Sequence, residues 1–197
     1  MKTYIYAIDK ISTWVGHAFA WCIVVMALGI GYEVVMRYLF RAPTTWAFDI
    51  SYMMYGALFM MCGAYALSRD SHVRADVFYR TWAPRTQARL ELVLYFVFFF
   101  PGVIALIIAG WKFAGRSFQW QEVSSFSPAN IPIWQFKFLI SAAGILLLLQ
   151  GTAEVCRCLL CLKTGAWPER IKDVEETETA LMHQAEDHRK LEAELKS

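Results

Sequence analysis

Trp46-Ala47-Phe48-Asp49-Ile50-Ser51-Tyr52-Met53-Met54-Tyr55-Gly56-Ala57-Leu58-Phe59-Met60-Met61-Cys62-Gly63-Ala64-Tyr65-Ala66-Leu67 runs straight into Ser68-Arg69-Asp70-Ser71-His72-Val73-Arg74-Ala75-Asp76-Val77. Past Asp49 the first of these stretches carries no charge for about twenty residues, enough for one helix to cross a bilayer core. Asp49, Gly56 and Gly63 follow one another at steps of seven and so share a helical face. Glycines on one face let a second backbone come close. The charged run that follows packs two arginines, a histidine and two aspartates into eight residues. Such a cluster does not lie in hydrocarbon, so it marks a membrane surface.

Composition gives the same class. Hydrophobic residues make up 57% of the 197 and charged ones 18%, against roughly 45–50% and 25% for an ordinary soluble domain. The eight tryptophans and fourteen phenylalanines suit interfacial belts and lipid-facing helices. Three further apolar segments bracket the first: spans are expected at about 14–35, 46–67, 90–112 and 133–153, in an all-α, four-helix integral membrane bundle. Residues 1–163 form this domain, and 164–197 an acidic, helix-prone tail with a weak heptad stripe of Val174, Leu181, His188 and Leu195. The first span is expected to stay in the product as an anchor, being too long for a signal core and followed by no cleavage site. Eleven Lys and Arg fall near the N-terminal arm, the 69–89 hairpin and the end of span four, against five near the other ends. That bias predicts both termini in the cytoplasm. From Asp173 onward the tail holds eight acidic and three basic residues, so the rest of the chain is basic, which suits anionic lipid and does not call for nucleic acid.

Within the first span Gly16, Ala20, Ala27 and Gly31 predict an interhelical face. Glu33 and Arg37 are four apart with the acid first, the favoured order for a helical ion pair. Pro43 breaks the connection, an amphipathic segment is open at 40–46, and Thr44 or Thr45 is placed to cap the second helix. Pro101 and Gly102 predict a kink in the third span. Ser141, Gly144 and Gly151 make a small-residue stripe in the fourth, with Gln150 as interhelical glue.

Upstream of the opening stretch stands Tyr32-Glu33-Val34-Val35-Met36-Arg37-Tyr38-Leu39-Phe40, then Pro43, Trp46 and Asp49. After it comes Gly63-Ala64-Tyr65-Ala66-Leu67-Ser68-Arg69-Asp70-Ser71-His72-Val73-Arg74-Ala75-Asp76. In order and spacing this resembles the small-permease (Q) subunit of tripartite ATP-independent periplasmic (TRAP) transporters. Ser71 stands where that family often has glycine, and Ala75 where it often has valine. The resemblance covers roughly residues 4–162 and stops before the tail. It implies a noncatalytic scaffold in the bacterial inner membrane, paired with a large M-type permease that holds the substrate and sodium sites. A periplasmic substrate-binding protein would deliver an organic acid to both. Glu33, Arg37, Trp46, Asp49, Gly56, Gly63, Arg69, His72, Arg74 and Asp76 are then expected as structural joints or partner contacts. Arg41, Arg116 and Glu122, in the outer loops, are expected to help dock the binding protein.

Other constellations are weaker. Cys156-x-Cys158-x-x-Cys161 has ligand-like spacing but no second Cys or His pair to complete a zinc tetrahedron. His17 and His72 set out a haem-anchor reading, which needs a buried axial pair. Glu33 offers a third, in which the chain works alone as a small homodimeric transporter. No nucleophile constellation, phosphate loop or dinucleotide motif is present, so no enzyme, no metal site and no cofactor is expected.

Overall fold

The protein is described here from a computed structural model covering residues 1–69, 82–168 and 170. Among the described residues, four helices are long and apolar enough to cross a membrane: α1 (Lys2–Tyr38), α2 (Ala47–Ser68), α3 (Pro84–Gln119) and α4 (Trp134–Thr164). The 22 residues of α2 make about 33 Å of helix at 1.5 Å per residue, close to the roughly 30 Å hydrocarbon thickness. The other three are longer and run past it.

The helices run past the expected spans. The first begins at Lys2, ahead of the span expected from Trp14, and the third covers Pro84–Gln119, extending on both sides of 90–112. The fourth continues from Trp134 to Thr164, past the expected end at 153. Hydropathy reads the thickness of the bilayer, whereas a helix stops only where the backbone is told to stop. Pro84, in the first turn of α3, has the fixed φ that suits a helix start. Gly165, at φ +80°, ends α4, its N–H closing on the Cys161 carbonyl at 2.8 Å. The early part of α1 holds because Ile5, Ile8, Asp9 and Ser12 form a buried face.

α4 is the centre of the bundle and packs against α1, α2 and α3, while α1 also packs along α2. Small residues make this possible. A Cβ on Gly144 would meet Ile107 at 2.7 Å, one on Gly151 would meet Phe99 at 2.3 Å, and one on Gly56 would meet Phe136 at 2.4 Å. Gly63 lies against Leu147, so the glycine face of α2 is spent on α4. The Ser141–Gly144–Gly151 stripe is spent on α3, with Ser141 donating to the Ile107 carbonyl at 3.5 Å.

The small-residue face expected on α1 is only partly there. Gly16 is buried against Tyr65, but Ala20, Ala27 and Gly31 are exposed. The inward set is Ser12, Gly16, Phe19, Cys22, Met26, Gly29 and Glu33. It advances by threes and fours, so it drifts around the cylinder as crossing helices require; a stripe drawn at steps of four and seven drifts the other way. Gly16 and Gly29 therefore respond oppositely to alanine. A Cβ at Gly16 falls 2.7 Å from Tyr65 Cβ and Cγ, atoms too near the backbone to swing aside. Gly16→Ala should cost about 1–3 kcal/mol by overpacking. Gly29 has nothing within 4 Å, so Gly29→Ala should gain about 0.5–1 kcal/mol of helix propensity. Thermal unfolding in detergent reads both signs.

Between α1 and α2 the chain bends without forming a helix, so the amphipathic segment left open at 40–46 is not formed. Nor does Thr44 or Thr45 cap α2, which starts at Ala47 after Trp46 without a side-chain cap bond. α3 contains a π-helical turn, Tyr95–Phe99, where Phe100 N–H reaches back five residues to the Tyr95 carbonyl. Pro101 lies just beyond it, and a π-turn is one way a helix absorbs the register change near a proline. At one end Ala88, Tyr95, Cys158 and Cys161 form a buried cluster capped by Trp167. Trp167 Nε1 donates to Gln87 Oε1 at 2.9 Å, so the chain just after α4 folds back against α3.

Candidate functional site

Two polar clusters tie the bundle together, one near each end. The first joins the start of α1, the end of α2 and the last turns of α4, and none of its acids was singled out from the sequence. Asp9, Ser12, Gln150, Glu154 and Arg157 are all buried, Arg157 to 1% exposure. Arg157 pairs with Asp9 through Nη2 and with Glu154 Oε1 through Nη1 at 2.6 Å. Gln150 Nε2 donates to the other Asp9 oxygen at 2.9 Å, and Ser12 donates to Gln150 Oε1 at 2.8 Å. Arg170 reaches in from beyond α4, bonding Glu154 Oε2 at 2.9 Å and the Ser68 carbonyl at 3.0 Å. It thereby satisfies a carbonyl left open at the end of α2. Ser68 marks the end of the one helix that matches the bilayer, so this network sits near the rim, where paired charge is tolerable.

Nearby, Arg69 Nη2 donates to Thr13 at 2.8 Å, and its guanidinium lies 5.3 Å from the centre of the Tyr65 ring. Arg69 is thus a joint between α1 and α2. His72, Arg74 and Asp76, expected to extend it, lie outside the described residues, as does the tail from 171.

At the opposite end the expected residues separate into three ties. Asp49, fully buried in the first turn of α2, accepts from Ser124 Oγ at 2.7 Å and from Ser127 Oγ. This fastens the α3–α4 loop onto α2. Within that loop Ser124 N–H bonds the Ile131 carbonyl at 2.8 Å, and Gln121 and Asn130 take left-handed backbone at φ 46° and 50°. Glu122 pairs with Lys137 of α4, whose ammonium also lies 4.1 Å from the Phe113 ring centre. The hydrogen bond from Lys137, the largest cause, holds the Glu122 carboxyl below its ordinary value of 4.5. A carboxyl lowered in the folded state adds stability above that ordinary value and loses it as pH falls through the lowered one. Loop protection from protease should therefore persist at neutral pH and fade in acid, and Glu122→Gln should abolish that acid step.

The third tie is Glu33. One oxygen accepts from Arg37 Nε at 3.0 Å and Nη2 at 2.5 Å; the other accepts from Thr44 N–H at 2.9 Å and from the Thr44 hydroxyl. Both oxygens are engaged, and the carboxylate holds the α1–α2 connection to the end of α1. Trp46 stacks on Tyr32 with ring centres 6.0 Å apart, reinforcing the same corner. Arg41 is exposed at φ 52°, and Arg116 Nε donates to the Lys112 carbonyl at 3.4 Å, so neither is drawn into the bundle.

His17 and the cysteines of the fourth helix, behind the haem and metal readings, have other neighbours. The His17 ring lies 5.6 Å from the Tyr65 ring. Cys158 donates to Glu91 Oε2 at 3.5 Å and Cys161 to the Pro84 carbonyl at 3.6 Å. Among the described residues no group of three or more His, Cys, Asp or Glu is placed to hold a metal ion.

The fold and these ties define a multi-pass helical membrane protein whose buried charges join helix to helix. A family model for the tripartite ATP-independent periplasmic transporters, DctQ component, matches residues 26–161. The chain belongs to that family, a small permease component of TRAP transporters and not an enzyme family. No curated protein matches its sequence.

Proposed function

We propose that the chain is the noncatalytic scaffold subunit of a sodium-coupled importer of organic acids in the bacterial inner membrane. It pairs with a large M-type permease, which carries the substrate and ions, and with a periplasmic substrate-binding protein. The end holding Asp9, Arg69 and Arg157 faces the cytoplasm, as the Lys and Arg bias indicates. The observation that carries this reading is the use made of buried charge. Asp9, Asp49, Glu154 and Arg157 are each engaged in a contact that fastens one segment of the bundle to another. Transport sites instead keep polar groups available near the midplane. His72, Arg74 and Asp76 would extend the Arg69 joint toward the partner.

Reconstitution tests the assignment. Vesicles holding the permease and this chain should take up substrate only when the binding protein is added outside, and vesicles holding this chain alone should take up none. Uptake by this chain alone would refute it. Arg41 and Arg116 remain the candidates for docking the binding protein, since rim charges chiefly steer association. The double reversal Arg41→Glu/Arg116→Glu should raise the binding-protein concentration for half-maximal uptake about tenfold at low salt. The difference should narrow as salt rises; an unchanged salt profile would remove both residues from the docking surface.

A further inference from the structure

A cavity of about 350 Å³ opens beside the first turns of α1 and the last turns of α4. Lys2 and Asp9 line it from α1 and Arg157 from α4, with Ile5, Tyr6 and Leu160 among its apolar walls. The charge in and behind this wall is already partitioned. Asp9 spends one oxygen on Gln150 and the other on Arg157, and Glu154 spends both on Arg157, Arg170 and Gln150. Two acids thus offset two arginines. Donors are left over: Arg157 Nε, buried and without an acceptor among the described residues, and the Lys2 ammonium. The opening turn of α1 adds backbone N–H groups that no helical carbonyl satisfies, with no acidic residue in that turn and no side-chain cap.

Depth narrows the choice of ligand. Arg157 Nη1 lies 3.5 Å from the carbonyl of Ser68, the last residue of the helix that matches the bilayer, so the cavity sits at headgroup level. Its walls combine apolar surface with cationic donors, which suits a group that is anionic at one end and greasy at the other. We infer that this cavity is a binding site for the phosphate headgroup of an anionic phospholipid, held by Lys2, Arg157 and the start of α1.

The test is native mass spectrometry of the purified full chain with equimolar phosphatidylglycerol and phosphatidylcholine. The wild type should retain phosphatidylglycerol about fivefold over phosphatidylcholine, and Lys2→Glu should remove most of that preference. Lys112→Glu, at the other end of the bundle, should leave it intact. Equal retention of the two lipids by the wild type would overturn the inference, as would an unchanged preference in Lys2→Glu. An equal loss in Lys112→Glu would also overturn it, by showing general surface charge. Millimolar inorganic phosphate should fail to displace the lipid; displacement at the concentration of free lipid would show a site for the free anion instead.

Discussion

Arg157→Met should destabilise the folded bundle by about 3–5 kcal/mol, the cost of stranding a buried charge after removing its partner. Asp9 loses its cation, while Glu154 keeps Arg170. Adding Asp9→Asn should recover more than half of that loss. The asparagine still accepts from Gln150 but carries no charge into a site that is 2% exposed. The pair of variants separates charge from shape, because the Met side chain is common to both. Unfolding by added denaturing detergent reads the difference. If the double variant is as unstable as the single one, the network matters for packing and not for its charges.

Asp49→Ala should be the next largest, at about 3 kcal/mol, because hydrogen bonds to a charged acceptor are worth about 1.5–3 kcal/mol each and two hydroxyls lose theirs. Its effect should be local as well as global. Ser124 and Ser127 are what hold the α3–α4 loop on α2, so that loop should become the first site of protease cleavage. Asp49→Asn keeps an acceptor of the same shape and should lie between the two. Cleavage at an unchanged rate in Asp49→Ala would show that the Glu122–Lys137 pair and the Val123–Pro132 bridge hold the loop without it.

The four helices were legible because apolar runs of bilayer length leave few alternatives, and Gly56 and Gly63 announced their packing face by spacing alone. The Glu33–Arg37 pair was legible for the same reason, being a contact within one helix. The Asp9–Arg157 network was not. Its members are 148 residues apart, and Arg157 entered the sequence reading only as one more positive charge at a membrane rim. A signal did exist: Gln150, Glu154 and Arg157 continue one helical face at steps of four and three, adjoining the small-residue stripe. Polar residues that prolong a packing face point inward. The exposed Ala20, Ala27 and Gly31 show the converse, since small residues fall on an inner face only if their spacing follows the crossing of the helices. Asp49 was placed on the right face, but its serines lie in a loop whose path no periodicity encodes.

The most direct test is to tag the chain in its native host, solubilise the membrane gently and identify what co-purifies. A scaffold subunit should bring down a large polytopic permease at about one to one. The chain recovered by itself as a stable homo-oligomer, or with a flavoprotein or iron–sulfur subunit, would show that it is not the scaffold of an importer.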